Sequence, residues 1–154
     1  MATPAISPAL AAAALPALAA YELRLTPARR ALLAVLEGTD RPLTADEVTR
    51  GAELPVSTAY RNLGELADAG VVVRITAIGG GDRYELAEQV SPHHRHHHHL
   101  VCERCGIVTD FAPSAQLERL IAKEVQSLLD STGFEVTNHV FDVRGWCRDC
   151  RAAE

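Results

Sequence analysis

Apolar residues recur at helical spacing in three short blocks within residues 26–70. The first block opens with Thr26-Pro27, which is typical of a helix start, and stops at Gly38. The second block, 44–51, opens with the form of a capping box. The third, 55–70, keeps its apolar residues on one face and ends in a glycine. The pattern therefore predicts three short helices in close succession.

A strand-like pattern follows these helices. Residues 71–78 are predicted to form a strand, 79–82 a flexible turn and 83–86 a returning strand. Three helices and a hairpin in this order are typical of a winged helix-turn-helix, whose third helix enters the major groove of DNA. On that helix, Tyr60 offers a ring to a thymine methyl and Arg61 reaches guanine or phosphate. The alternative is a tyrosine packed on the core and a solvated arginine.

The second half of the chain predicts a smaller α/β unit. After a linker over 87–94, we expect a strand leading into a cysteine pair and another over 107–111. A long helix is predicted from about Ser114 to Ser131, because its apolar residues follow the 3.6-residue period. A last strand is predicted over 134–143. A unit this small buries little surface alone, so zinc and a partner subunit are expected supports.

All four cysteines lie in two Cys-x-x-Cys pairs, Cys102/Cys105 and Cys147/Cys150. Four thiolates complete a tetrahedral zinc site and leave no open position for a substrate. The cysteines therefore predict a closed, structural zinc site that ties the last strand to the strand before the long helix.

The fold class predicted is α+β, with an N-terminal winged helix-turn-helix and a small C-terminal α/β dimerisation domain that holds the four-cysteine zinc site. The domain bounds that we expect are 1–86 for DNA binding, 87–95 for a hinge and 96–154 for metal binding and dimerisation.

Four consecutive histidines, His96 to His99, run directly into the first cysteine pair. In an extended chain, alternation places His97 and His99 on one face and His96 and His98 on the other. Imidazole nitrogens suit zinc, iron and nickel. Candidates to complete these two half-sites are Glu85, Asp110, Glu118 and His139. The alternatives are solvated charges at the two glutamates and an ordinary hydrogen-bonded strand histidine at position 139.

The net charge of −5 argues mildly against a nucleic-acid partner. A local basic surface is still expected from the arginines at 24, 29, 30, 50 and 61. No apolar stretch has membrane-spanning length, and the Ala/Pro-rich N-terminus, interrupted by prolines, lacks the basic start of a signal peptide. We therefore expect a cytoplasmic protein with no membrane partner, whose paired thiols hold metal.

Together, these features resemble the ferric uptake regulator family of bacterial metal-dependent repressors over nearly all of 26–150. The resemblance rests on Ser57-Thr58-x-Tyr60-Arg61-Asn62-Leu63, on the segment from His96 through Cys102-x-x-Cys105-Gly106, on Thr137-Asn138-His139 and on Cys147-x-x-Cys150. It implies a homodimeric repressor of metal uptake or homeostasis genes that is not an enzyme. Metal at the hinge would close the dimer onto double-stranded DNA with an AT-rich palindromic operator.

The resemblance also implies roles for particular residues. Structural zinc is expected at Cys102, Cys105, Cys147 and Cys150. A sensing site for a second divalent metal, Zn²⁺ or Fe²⁺, is expected at Glu85, His97, His99 and Asp110. A second site is expected at His96, His98, Glu118 and His139. DNA contacts are expected from Ser57, Thr58, Tyr60 and Arg61.

The chain departs from the family pattern at three places. Pro42 stands where many iron- and peroxide-sensing members have a histidine, and Leu86-Ala87 where several zinc sensors have a cysteine. Several extra residues separate Glu85 from Cys102. Two alternatives stay open: a peroxide sensor of the same family, and a metal buffer or chaperone that does not bind DNA. A zinc deaminase is disfavoured, because the chain has neither a His-x-Glu nor a proline before a cysteine pair.

Overall fold

The computed structural model describes residues 5–77, 81–92, 96–137 and 139–153. Within these residues the helices are α1 (Pro8–Ala20), α2 (Pro27–Glu37), α3 (Ala45–Gly51), α4 (Val56–Asp68), α5 (Ala115–Thr132) and α6 (Arg148–Ala152). The strands are β1 (Leu43–Thr44), β2 (Val72–Ile75), β3 (Arg83–Leu86), β4 (His98–Cys102), β5 (Val108–Phe111) and β6 (Asp142–Gly145).

The predicted winged helix-turn-helix is confirmed. Thr26 caps α2 by accepting a hydrogen bond from the Arg29 backbone N–H, and Thr44 forms the predicted capping box with Glu47 at the start of α3. The wing is an antiparallel sheet in the order β1-β3-β2. Its first long strand is shorter than predicted, since β2 ends at Ile75, and residues 78–80 lie outside the described residues.

The helix α1 was not anticipated from the sequence. Ser7 caps it, Pro8 occupies its first turn, and Leu10, Ala14 and Leu18 are fully buried against the winged-helix core. The Ser-Pro start and the four-residue spacing were available signals. The internal Pro16 argued against a helix, because proline lacks the N–H that a helix interior uses. The burial of the apolar side chains of α1 in the core outweighs the loss of that hydrogen bond.

A second sheet, in the order β5-β4-β6, forms the C-terminal part. The strand β4 is central, antiparallel to β5 and parallel to β6, with His99 opposite Asp142. The prediction of a strand over 134–143 is wrong for most of its length, since β6 begins at Asp142. The central strand β4 begins only at His98, so the described residues before Asp142 have no described strand beside them.

A small apolar cluster joins the wing to this second sheet. Ile75 and Ala77, at the end of the wing strand β2, pack with Val101 and Val108 of the C-terminal sheet, and all four are buried. Burying aliphatic side chains of this size contributes roughly 1–3 kcal/mol each. The two parts of the chain therefore touch directly and not only through the linker.

The long helix was predicted at nearly the right bounds, with Ser114 as its N-cap and Gly133 in a left-handed conformation at its end. None of its residues is buried. Four leucines of its apolar stripe, which include Leu120 and Leu128, stay 37–54% exposed in the single chain. An apolar face of this kind marks a protein interface. Among the described residues, no helix combines the length and apolar character needed to cross a membrane.

Candidate metal centres and nucleic-acid interface

The four cysteines converge at one end of the second sheet. Cys102 ends β4, Cys105 follows in a tight turn, and Cys147 and Cys150 lie at the start of α6. Their sulfur atoms all lie within 4.8 Å of one another, and each is a free thiol. The 3.8 Å between the Cys105 and Cys147 sulfurs equals the edge of a tetrahedron with zinc–sulfur bonds of about 2.3 Å, which is about 3.8 Å. The geometry fits zinc.

The backbone prepares one of these sulfurs to bind a cation. Hydrogen bonds from the backbone N–H groups of Cys105 and Cys147 lower the pKa of Cys102 to about 6, so its thiolate forms near neutral pH. Burial and the neighbouring sulfurs instead raise the pKa of Cys150 to about 12. A cation among the four sulfurs would stabilise that thiolate too.

The cluster predicted as the sensing site comes from three strands and the segment before β4. One ligand atom from each of Glu85, His97, His99 and Asp110 lies within 4.8 Å of the others. Glu85 Oε1 is 3.2 Å from His97 Nε2 and 3.0 Å from His99 Nε2. Asp110 Oδ2 is 3.9 Å from His97 Nε2. Glu85 and His99 are each only 4% exposed, so a bulk-solvated pair of charges does not describe them.

The electrostatics of this cluster favour a positive charge at its centre. Burial raises the pKa of Glu85, but hydrogen bonds from His97 and His99 overcome it and lower that pKa to about 2. Burial lowers the pKa of His99, yet the Glu85 carboxylate outweighs it and the net shift is upward. The carboxylate and the imidazoles therefore stabilise each other's charged forms, and a divalent ion bound among them would supply the positive charge instead.

The second predicted cluster lies on the other face of β4. Ligand atoms of His96, His98, Glu118 and His139 lie within 4.8 Å of one another. Glu118 Oε1 is 3.1 Å from His98 Nε2, and His96 Nε2 is 3.3 Å from His139 Nε2. The His98 ring is 1% exposed and stacks on Phe141 with centroids 3.8 Å apart. Burial lowers the pKa of His98, which favours the neutral imidazole that binds metal.

Two carboxylates beside these clusters were missed from the sequence. Asp142 Oδ1 lies 3.4 Å from His99 Nδ1, and Glu88 Oε2 lies 3.0 Å from His96 Nδ1. Neither has a sequence signal. Glu88 falls in the linker, and Asp142 falls at the end of a strand whose register was unknown. Both clusters open onto one cavity of about 580 Å³. Its lining includes Glu85, Glu88, His96, His97, His99, Thr137 and His139.

The third helix of the winged part presents three of the four residues predicted to contact DNA. Ser57, Tyr60 and Arg61 are exposed, while Thr58 is half-buried and its carbonyl oxygen accepts a hydrogen bond from Asn62 Nδ2 at 2.8 Å. Tyr60 is 48% exposed, so its ring does not belong to the core. These side chains stand on the face of α4 that faces away from the core.

The basic surface is smaller than expected. Arg29 was counted in it, and that prediction is wrong, since its side chain is 9% exposed and pairs with Glu65 at 2.5 Å. The pattern of the helix could not reveal this, because Glu65 lies on a different helix. The other four arginines are exposed: Arg24, Arg30, Arg50 and Arg61.

A winged helix with an outward-facing third helix, next to clustered imidazole, carboxylate and thiol ligands, defines a metal-responsive DNA-binding regulator. Comparison with known sequences agrees with this class. The pattern of the ferric uptake regulator family matches residues 20–144. The peroxide-responsive repressor PerR of Staphylococcus aureus is 30% identical over 135 residues, covering 84% of this chain and 83% of the relative.

Solved structures give the same answer. The ferric uptake regulator of Vibrio cholerae is 30% identical, with a TM-score of 0.60 over 86% of this chain and 98% of that one. The Helicobacter pylori ferric uptake regulator superposes with a TM-score of 0.71 over 98% of this chain and 97% of that one. At 20% identity, that likeness shows the fold alone.

The chain belongs to the ferric uptake regulator family. It is therefore a metal-dependent, DNA-binding transcriptional repressor that uses structural zinc and a regulatory divalent metal.

Proposed function

We propose that a divalent ion held by Glu85, His97, His99 and Asp110 switches this repressor on. Glu85 belongs to the wing strand β3, while His99 and Asp110 belong to the C-terminal sheet. An ion bound by all of them favours the arrangement in which the two parts are docked. It therefore shifts the population toward one orientation of the two α4 helices of the dimer. If metal raises the affinity for DNA by some factor, DNA must raise the affinity for metal by the same factor.

The single observation that carries this proposal is the shared carboxylate. Glu85 Oε1 lies within 3.2 Å of ring nitrogens from both His97 and His99, across the boundary between the two sheets. The proposed division is 1–86 for DNA binding, 87–95 for the hinge and 96–154 for dimerisation. Zinc at Cys102, Cys105, Cys147 and Cys150 holds the C-terminal part together and is not the switch.

On the DNA side, we propose that two copies read an AT-rich palindrome in the cytoplasm, with Ser57, Thr58, Tyr60 and Arg61 at the major groove. A dimer places two such helices at a fixed separation, which suits a palindromic operator. The genes controlled would be those of metal uptake or homeostasis. An exposed reading helix is difficult to reconcile with a metal buffer that does not bind DNA.

The test uses protein that is stripped of regulatory metal but retains one zinc per chain. Zn²⁺, Fe²⁺ or Mn²⁺ is added, and the affinity for DNA from its own promoter region is measured. Wild-type affinity should rise at least about tenfold with the cognate ion, a common size of allosteric coupling. His97→Ala should lose this response while keeping its zinc and its dimeric state. Exposed Glu22, in the loop after α1, supplies the control Glu22→Gln, which should behave as wild type. An unchanged metal response in His97→Ala would contradict the proposal.

Peroxide sensing is the second candidate, favoured by the peroxide-responsive relative in Staphylococcus aureus. Pro42 weighs against it. It adjoins β1, where Leu43 pairs with Tyr84 beside Glu85, and it brings no ligand atom to the cluster. Treating iron-loaded protein with hydrogen peroxide and mapping oxygen addition by mass spectrometry decides the point. Oxidation confined to His97 or His99, with loss of DNA binding, would favour peroxide sensing over metal sensing.

A further inference from the structure

Glu88 lies beside a histidine of the second cluster, although no sequence pattern connects the two residues. Its Oε2 atom is 3.0 Å from His96 Nδ1. The other ring nitrogen of this histidine, Nε2, faces the cluster, 3.3 Å from His139 Nε2 and 3.4 Å from Glu118 Oε2. The imidazole therefore spans the gap between the ligand cluster and an outer carboxylate.

This arrangement is the one that metal-binding histidines use. A histidine that ligates through one nitrogen donates its other N–H to a carboxylate, which fixes the tautomer and ring orientation and strengthens the ligand. With Nδ1–H donating to Glu88, His96 Nε2 carries the lone pair that an ion among His96, His98, Glu118 and His139 would use.

The turn that carries Glu88 is anchored to the winged-helix part. The Ala87 backbone N–H donates to the Val71 carbonyl oxygen at 3.0 Å, and Gln89 Nε2 donates to the Gly70 carbonyl oxygen at 2.9 Å. Val90 is 3% exposed and belongs to the winged-helix core. The backbone that carries Glu88 is therefore held by the winged-helix part, whereas His96 leads into the C-terminal sheet.

We infer that Glu88 is a positioning residue that makes the second cluster an interdomain metal site. The inference rests on the proposed function, in which docking of the two parts is the regulated event. All ligands of this cluster come from the C-terminal part, so an ion there would otherwise leave the winged part unaffected. Through Glu88, the ion gains affinity when the winged part is docked, and by linkage it stabilises docking.

The sensing cluster shows the converse arrangement. There the winged part supplies a ligand, Glu85, and the C-terminal part supplies the outer carboxylate, since Asp142 Oδ1 lies 3.4 Å from His99 Nδ1. Each cluster thus has one carboxylate from the winged part, Glu85 in the sensing cluster and Glu88 beside the second cluster. Two ions would hold the same two parts together from opposite faces of β4.

The experiment isolates the second cluster in a dimer that carries His97→Ala and retains its structural zinc. Co²⁺ is titrated into this background and followed by its visible absorption. Adding Glu88→Ala should weaken Co²⁺ binding by about tenfold, the lower end of the effect of losing an outer carboxylate. Glu88→Gln should be intermediate, because its amide oxygen still accepts the N–H, and Glu22→Ala should change nothing. Equal affinity in Glu88→Ala and the background, or no Co²⁺ binding in the background, would overturn the inference.

A second readout addresses the interdomain link itself. Hydrogen exchange of the backbone at 87–92 should slow when Co²⁺ is added to the His97→Ala background, and it should not respond in Glu88→Ala. The same protection in both proteins would overturn the inference. Neither readout uses DNA, so a failure here is separate from a failure of the promoter titration.

Discussion

The side chain of Arg83 donates a hydrogen bond from Nε to the carbonyl oxygen of Gly106, at 2.7 Å. Arg83 begins the wing strand β3, and Gly106 directly follows Cys105 in the turn of the thiol cluster. The same guanidinium lies 4.0 Å from Glu47, in the capping box of α3. One side chain therefore connects the winged-helix part to the turn that carries Cys105.

Arg83→Met should weaken DNA binding without loss of zinc. The variant keeps the aliphatic stem but removes the donor, which costs about 1 kcal/mol and lowers affinity about fivefold at saturating metal. Fluorescence anisotropy on promoter DNA measures the effect. Arg104→Met is the control, because Arg104 donates to the Cys150 carbonyl oxygen within the C-terminal part and should leave DNA affinity nearly unchanged. Equal affinities for the two variants would contradict a docking role for Arg83.

Cys102→Ser should release zinc and unfold the C-terminal part. Apparent binding energies of structural zinc are about 10–16 kcal/mol, more than a small sheet with an unburied helix can replace. Sedimentation should show loss of the dimer, and circular dichroism should show loss of helix. A stable, zinc-free dimer of this variant would refute the structural assignment.

In the metal-free protein, the contribution of Glu85 to thermal stability should follow a bell-shaped curve against pH. The Glu85 pKa is lowered from 4.5 to about 2, so its stabilisation is complete above pH 4.5 and disappears as the pH falls through about 2. The His99 pKa is raised above 6.5, so its share is complete below pH 6.5 and disappears as the pH rises through the raised value.

Melting of wild-type and Glu85→Gln apoproteins across pH measures this contribution. The difference in Tm should be largest between pH 4.5 and 6.5 and should shrink on both sides. A difference that stays constant with pH would show that the two groups do not stabilise each other's charged forms.

Leu18→Ala should lower the free energy of unfolding by about 2–5 kcal/mol, the usual cost of emptying a buried leucine site. Leu18 is fully buried and Leu15, on the same helix, is 51% exposed. Leu15→Ala should therefore cost well under about 1 kcal/mol. Urea unfolding compares them, and similar losses would mean that α1 is not part of the core.

Tyr60→Ala should reduce operator affinity by about 1–3 kcal/mol and relax the preference at one base pair. Its hydroxyl donates to Asp46 Oδ1 at 3.2 Å, which holds the exposed ring on the outer face of α4. Arg61→Ala should instead lower the slope of affinity against salt by about one, as expected for a phosphate contact. Binding measured on single-base operator variants at several salt concentrations separates the two. Identical profiles for both variants would contradict these roles.

Local chemistry in the sequence determined several features of this protein by itself. Thr26 and the Thr44 capping box fixed two helix starts, because caps act within one turn. The alternation of His96 to His99 across a strand and the two cysteine pairs indicated three ligand clusters, because side-chain direction and pair spacing are local properties.

Only the tertiary structure decided the rest. The segment around Pro16 is helical because Leu18 is buried in the core, and Arg29 is buried because it pairs with Glu65. The strand β6 begins only at Asp142, since its neighbour β4 begins at His98. The contact between Glu88 and His96 likewise depends on how the linker turn is tied to the winged part. Each of these outcomes is set by atoms on different elements, and a one-dimensional pattern does not contain their separation in space.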